Sequence, residues 1–356
     1  MLALIYLITF IIFIFLTMLN GLVRGLNTPV AVVMIAWMTL LASIRYETGT
    51  DFFTYTQVWS LSPALADITL NGIISGFFEP LFVVSNAVLK TFTTSPTAFF
   101  TFYACLTIIP LAAALARFDI NRAYALLLYL CIFYLPYTFN GMRQSVAMTV
   151  FILAVPAILQ HRTRDVILWT LLAAGFHSSG FVIAISYCFL RLSEHWNMKG
   201  WKVFAVSAVI GGVFAATNTI GQLFFRFFPE LVTVYSEIFV QSSSWSNVLM
   251  RLGICGLMLL GLNQGKGPRR SIEQLFIIYC LGLLIYLSLS HFNMLATRFN
   301  MMFRVLEIVM FPMIMMRLSR EKRLLFATLT IIFAAMLFLT VAQHPDYHYK
   351  TNIFGE

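Results

Sequence analysis

Long apolar stretches, separated by short polar segments, dominate this chain of 356 residues. A helix needs about 20 residues to cross the hydrocarbon core of a bilayer, and continuous rather than alternating apolar stretches favour helices over a barrel. The pattern therefore predicts an all-α, polytopic integral membrane protein with about 10 to 12 transmembrane helices. The predicted crossings are residues 2–19, 30–44, 79–116, 123–137, 145–159, 203–219, 248–262, 272–290, 297–316 and 324–342.

Two apolar stretches are interrupted. Residues 79–116 are too many for one straight helix, and we expect a break at residues 93–96, where Pro96 cannot continue a helix. Residues 166–190 are interrupted by the sequence GFHSSG at 175–180. Each remaining arm has about ten residues, too few to cross the bilayer. We expect residues 166–190 to form a re-entrant or broken segment.

Composition agrees with the pattern. The chain is 60% hydrophobic and only 10% charged, which excludes a water-soluble globule. Most of its 23 basic residues fall in loops on one predicted side, so the net charge of +9 reports topology and not nucleic-acid binding. The five cysteines lie within apolar runs and suggest no metal site. We expect one integral membrane domain, residues 1–356, with outer loops at 45–79 and 220–247 and both termini on the outer side.

The first outer loop opens with an unusual group of polar side chains. Arg45 ends an apolar run, and Asp51 and Tyr55 follow closely. Arg45 is in reach of an anionic substrate, and Asp51 is a candidate catalytic base. The alternative is an arginine that snorkels to the headgroups beside a solvated loop.

Two further charged residues are predicted at helix starts. Glu79 precedes Pro80, where a carboxylate is favoured by the helix dipole; it is a candidate to abstract a proton or to hold an arginine in place. Arg143, followed by Gln144, opens the next helix, where a cation opposes the dipole. We therefore expect an anionic partner for Arg143.

The later part of the chain contains a histidine and two arginines that need an interpretation. His177, with two serines after it, lies at the predicted helix break and is either a general base or a phosphate contact. Arg304 can reach Glu307 one turn later, which favours a structural ion pair. Arg298 has no such local partner in the sequence.

These elements, in this order, resemble the signatures of the EpsG-like, Wzy-type bacterial polysaccharide polymerases. The resemblance rests on four elements that span most of the chain: Arg45 with Asp51 and Tyr55; Arg143-Gln144; His177-Ser178; and Arg298, where position 302 has Met instead of the family's Tyr.

The resemblance implies a GT-C-like fold in the bacterial inner (cytoplasmic) membrane. It also implies transfer between two undecaprenyl-diphosphate-linked glycans on the periplasmic or outer face, without a metal or cofactor. Arg143 and Arg298, then Arg45, are the candidates for binding the diphosphate, with Gln144 and Tyr55 beside them in the family motifs. Asp51, then His177, then Glu79 are the candidates for the base. Membrane lipids, a chain-length regulator and a flippase are the implied partners.

Two other functions fit the same residues. An O-antigen ligase shares the donor and the arginines, but typically has a larger outer loop than residues 221–247 offer. A lipid-linked glycan flippase or anion transporter also lines a cavity with arginines. It would lose transport when Asp51 is neutralised, but would never make a glycosidic bond.

Overall fold

A computed structural model describes residues 3–23, 25–74, 76–227, 242–267 and 269–351. These residues are mostly helical, with only two short strands among them, which confirms the all-α prediction. They form two compact units, residues 1–183 with 324–356, and residues 184–323. The prediction of a single membrane domain stays a prediction. The middle of the predicted outer loop 220–247 lies outside the described residues.

Unit 1 is built around its two most buried helical segments. One runs from Arg122 to Asn140 and the other from Met142 to Leu159, and almost all their residues are inside the protein. Because these segments are apolar on every face, they pack in the centre instead of facing lipid. The helices of unit 1 are α1 (Ala3–Leu22), α2 (Asn27–Ser43), α3 (Phe52–Leu61), α4 (Leu70–Ile74), α5 (Pro80–Phe92), α6 (Pro96–Leu115), α7 (Arg122–Tyr129) with a π-helix (Leu130–Asn140), α8 (Met142–Leu159), α9 (Thr163–Phe176) and a 3₁₀ turn (Ser178–Phe181).

The chain after the last helix returns to the first outer loop. Strand β1 (Arg45–Tyr46) pairs antiparallel with strand β2 (Lys350–Thr351). The side chain of Lys350 also forms an ion pair of 2.8 Å with Glu47. The loop that opens at Arg45 is therefore held by the last described residues of the chain.

Unit 2 contains helices that pack mainly on a central, well-buried helix, α14. The elements that lie wholly in unit 2 are α11 (Gly200–Thr217), α12 (Thr219–Phe227), α13 (Trp245–Gln264), α14 (Arg270–Ser288), α15 (Asn293–Arg304) and α16 (Glu307–Arg317), while α10 (Val182–His195) and α17 (Arg320–Ala342) have residues in both units.

Both predicted helix breaks are present. The first separates α5 from α6, and Ser95 caps α6 by accepting a hydrogen bond from the Ala98 amide. The second separates α9 from α10 at His177 and the 3₁₀ turn. The predicted span 297–316 is also broken, because α15 and α16 meet at an angle of 44°. The expected Arg304–Glu307 ion pair therefore bridges a bend instead of one continuous turn.

The helices of the described residues are consistent with many membrane crossings. Eight are long and apolar enough to cross, or nine with the bent pair as one span. Two shorter apolar helices, α2 and α5, bring the candidates within the predicted range. The protein is a multi-pass membrane protein.

Candidate functional site

The centre of the candidate site in unit 1 is an ion pair between Arg143 and Glu79. Arg143 is the second residue of α8, and Glu79 directly precedes α5. Arg143 Nη1 donates to Glu79 Oε2. Both side chains are mostly enclosed but still reach solvent, with 19% and 17% of their surface exposed. The anionic partner expected for Arg143 is therefore Glu79, the residue proposed to hold an arginine in place.

Aromatic rings fix the position of the Arg143 guanidinium. The Arg143 Cζ lies 4.8 Å from the ring centre of Phe78 and 5.4 Å from that of Phe82, which are cation–π distances. The guanidinium also interacts electrostatically with Tyr55, which is buried in α3. Burial raises the pKa of Tyr55, and the nearby Arg143 opposes that rise. Phe78 and Phe82 also line a cavity of about 200 Å³.

The second oxygen of Glu79 connects the ion pair to the turn that carries His177. Glu79 Oε1 accepts a hydrogen bond of 3.0 Å from the Ser178 amide. The turn lies close against α9, because a Cβ at Gly180 would overlap the backbone of Ala173 and Ala174. Both Glu79 carboxylate oxygens are therefore occupied by donors.

The hydrogen bonds of His177 assign its tautomer. His177 Nδ1 accepts a hydrogen bond of 3.2 Å from the Ser179 amide and lies 2.7 Å from the Ser179 hydroxyl. An amide N–H can donate only to an unprotonated ring nitrogen, so the neutral ring carries its proton on Nε2. In this arrangement Nε2 carries the proton, and the ring is half-exposed.

Asp51 lies at the start of α3, next to the same tyrosine. Its half-buried carboxylate accepts a hydrogen bond of 3.1 Å from the Thr50 hydroxyl. Within the described part of the chain, no basic side chain forms an ion pair with it. Tyr55 follows one helical turn later and interacts electrostatically with both Asp51 and Arg143. Tyr55 therefore links the carboxylate to the arginine.

Arg45 is enclosed by protein, with 4% of its surface exposed. Its guanidinium donates to the carbonyl oxygens of Thr138 (3.2 Å) and Phe139 (2.8 Å), at the end of the π-helix. It also lies over the rings of Phe100 and Phe139, at 4.6 and 4.5 Å. Helix-terminal carbonyls lack intrahelical donors and favour a cation. Burial lowers the pKa of Arg45 to about 10, so it remains charged at neutral pH.

The other two predicted binding residues occupy different surroundings. Gln144 is buried in the first turn of α8, next to Arg143 in sequence. Arg298 is exposed on α15 in unit 2. The described structure therefore brings Asp51, Tyr55, Glu79, Arg143 and His177 together, and Arg298 belongs to the other unit.

Sequence reasoning missed the tyrosines of the C-terminal segment. Tyr347 OH accepts a hydrogen bond from Asn140 Nδ2, and Tyr349 OH donates to the Leu41 carbonyl oxygen at 2.9 Å. Burial, aided by the charge of Asp51, raises the pKa of Tyr347 to about 12. Tyr347 is thus a neighbour of the Asp51 carboxylate. The available signal was a pair of tyrosines closely following the last apolar stretch.

Gly49 allows this loop to lie close to the π-helix. Its φ of 102° is in the left-handed region, and a Cβ there would collide with the side chain of Asn140. The Gly49 amide donates to the Asp346 carbonyl oxygen at 2.6 Å. Gly49, two residues before Asp51, is therefore required by both its backbone conformation and its packing.

Comparison with known proteins gives one match. The model of the EpsG family matches residues 29–351, nearly the whole chain. No curated protein and no solved structure matches the sequence. Among the described residues, no group of three or more His, Cys, Asp or Glu side chains could hold a metal ion.

Proposed function

Because the chain belongs to the EpsG family, we propose that it is a Wzy-type glycosyltransferase that polymerises a surface polysaccharide. Its substrates are oligosaccharide repeat units linked to undecaprenyl diphosphate, and its product is an O-antigen, capsule or exopolysaccharide. The reaction takes place on the periplasmic or outer face of the bacterial inner membrane, in a GT-C-like fold. The family supports the general role in polysaccharide synthesis; the substrate, the side and the mechanism are our proposal.

The observation that carries this proposal is the position of Arg143. Its guanidinium is fixed by Glu79, Phe78 and Phe82, and still reaches solvent. A leaving diphosphate gains negative charge in the transition state, and a fixed arginine stabilises that charge without having to reorganise. We assign Arg143 the diphosphate of the donor. This role needs no metal, because the arginine supplies the positive charge.

Glu79 is better suited to positioning than to proton transfer. Arg143 and the Ser178 amide each donate to one of its two oxygens, so the carboxylate is held between two fixed donors. The neutral His177 ring has its proton on Nε2 and its Nδ1 lone pair engaged by the Ser179 amide, so it is a poor base, and we assign it to binding a phosphate or sugar oxygen.

These assignments leave Asp51 as the base. Its carboxylate has no ion pair in the part of the chain that the structure describes, and it lies one helical turn before Tyr55. In the proposed reaction a hydroxyl oxygen of the acceptor unit attacks the anomeric carbon of the growing chain. The bond from that carbon to the diphosphate breaks, undecaprenyl diphosphate leaves, and Asp51 takes the hydroxyl proton. Attack opposite the leaving group inverts the anomeric configuration.

The remaining candidates receive different roles. Arg45 is enclosed and bound to backbone carbonyls, so we assign it to holding the loop instead of contacting substrate. Gln144 supports the first turn of α8 beside Arg143. Arg298 is exposed on α15 and stays our candidate for a second diphosphate contact.

The experiment examines surface polysaccharide on gels from a strain that lacks this protein. The strain is complemented with wild type, Arg143→Ala or Arg162→Ala at matched membrane levels. Arg162 is the control, because it forms an exposed ion pair with Asp165 in the same unit. We expect acceptors capped with a single repeat unit in the deletion, and a ladder with wild type and Arg162→Ala only.

Other patterns would contradict the proposal. Repeat units that accumulate on the cytoplasmic face, with no capped acceptor at the surface, would indicate a flippase. If the deletion strain made polymer but never attached it to the acceptor, the protein would be a ligase.

A further inference from the structure

Unit 2 contains a buried arginine that the proposed reaction does not use. Arg251 lies in α13, a helix long and apolar enough to cross a membrane, and 6% of its surface is exposed. Its guanidinium carbon lies 5.1 Å from the ring centre of Tyr286. Its Nε and Nη1 atoms have no hydrogen-bond partner among the described residues. Such a group is costly to bury unless an anion or acceptor meets it.

The acidic group beside Arg251 is already neutralised by another cation. Glu307 interacts electrostatically with Arg251, but its carboxylate accepts two hydrogen bonds from Arg304, of 2.6 and 3.1 Å. Tyr279 donates a third, of 2.7 Å. Arg304 itself adds a like charge near Arg251. Within the described part of unit 2, two buried arginines, Arg251 and Arg304, therefore share the single carboxylate of Glu307.

A largely apolar cavity of about 630 Å³ adjoins this part of α13. Val248 and Leu252 line it from positions on either side of Arg251 in the helix, and Leu287 lines it next to Tyr286 in sequence. The volume lies within the range of small-ligand sites. The rest of its lining combines small or aromatic residues with a few polar ones: Ala208, Gly212, Ala215, Ala216, Ser242, Ser243, Trp245, Ser290 and His291.

We propose that Arg251 and this cavity bind an anionic phospholipid of the bilayer. Arg251 donates to the phosphate oxygens through the N–H groups that lack a partner, and an acyl chain occupies the apolar cavity. A guanidinium presents a fork of donors that matches phosphate geometry, and the anion compensates the second positive charge. A bilayer lipid is the source that fits, because α13 exposes large apolar side chains such as Leu249 and Leu260 on its surface. The proposal does not depend on the polymerase reaction.

The test uses full-length protein in phosphatidylcholine nanodiscs, with and without phosphatidylglycerol, and measures the temperature of unfolding. Arg251→Met removes the charge and keeps an unbranched side chain. Arg226→Met is the control, because Arg226 is an exposed arginine of the same unit. We expect phosphatidylglycerol to raise the unfolding temperature of wild type and Arg226→Met by at least about 2 °C, and of Arg251→Met by less than half as much.

The unfolding temperature of Arg251→Met, compared with that of wild type, should also depend on the lipid. In phosphatidylcholine alone, Arg251→Met is expected to be as stable as wild type or more stable, since it removes a buried charge without compensation. A purely structural arginine would instead lower the unfolding temperature equally in both lipids, which overturns the proposal.

Two added ligands distinguish the source of the phosphate. If inorganic phosphate alone produces the shift in phosphatidylcholine nanodiscs, the site takes a free anion and not a lipid. If polyprenyl phosphate produces the shift and phosphatidylglycerol does not, the site takes the lipid of the substrate. Either result overturns the assignment to a bilayer phospholipid.

Discussion

The two hydrogen bonds accepted by Glu79 make Glu79→Gln an informative substitution. A carboxylate offers one oxygen to Arg143 and the other to the Ser178 amide. A glutamine of the same size has only one oxygen, so one of these donors must face the NH₂ group of the amide. We expect the substitution to loosen either Arg143 or the turn that carries His177, while the fold is retained.

The size of the effect follows from the loss of one charge-assisted hydrogen bond. Such a bond contributes about 1.5–3 kcal/mol, and partial exposure of the pair favours the lower end. A loss of about 1.5–2 kcal/mol that appears fully in the transition state slows polymerisation about 10- to 30-fold. If Glu79 were the base instead, removing it would cost about 100- to 10,000-fold.

The assay measures the rate of polymer formation by membranes that contain equal amounts of each variant. Glu273→Gln is a matched control, since Glu273 pairs with Arg269 at 3.1 Å and accepts from the Gly200 amide at 3.0 Å in unit 2. We expect this control to polymerise at the wild-type rate. An unchanged rate for Glu79→Gln, or an equal loss for Glu273→Gln, would refute the reasoning.

Three other substitutions test the remaining assignments. Asp51→Asn should slow polymerisation by about 100- to 10,000-fold, because the amide cannot take the acceptor's proton. Thin-layer chromatography should then show accumulated lipid-linked units, whereas a wild-type rate would exclude Asp51 as the base. Arg45→Met should lower stability by about 2–4 kcal/mol through the loss of two carbonyl bonds and the ring contacts, seen as a lower unfolding temperature; loss of activity at full stability would point to a substrate role. Glu307→Gln should lower the free energy of unfolding by about 3–5 kcal/mol, because it leaves Arg304 buried without its anion. The double variant Glu307→Gln with Arg304→Met should recover part of that stability, and no recovery in thermal unfolding would contradict the ion pair.

Part of the candidate site follows directly from local sequence physics. An arginine in the first turn of a helix opposes the dipole, so Arg143 predicts an anion nearby, and Glu79 is that anion. Proline marks the start of α5 and the break before α6, which puts Glu79 at a helix end. The glycines around His177 similarly mark the break between α9 and α10. These features are local, so the sequence contains them.

Features that depend on backbone groups far away in the chain are not predictable in this way. Arg45 looks available for a substrate in the sequence, but its partners are carbonyl oxygens at the end of the π-helix. Every residue has a carbonyl, so no side-chain pattern marks these acceptors. The C-terminal segment is a second case, since β1 and β2 have only two residues each and carry no strand signal. For this reason the local pattern indicates a binding role for Arg45 and gives no indication that Tyr347 lies near Asp51.

Synthesis by purified protein tests the central claim most directly. Proteoliposomes that contain only this chain would receive lipid-linked repeat units extracted from a strain that lacks the polymerase. We predict a ladder of longer glycans, release of one undecaprenyl diphosphate for each bond made, and loss of both with Asp51→Asn. Repeat units that cross the membrane but never lengthen would show that the protein moves its lipid-linked glycan and does not polymerise it.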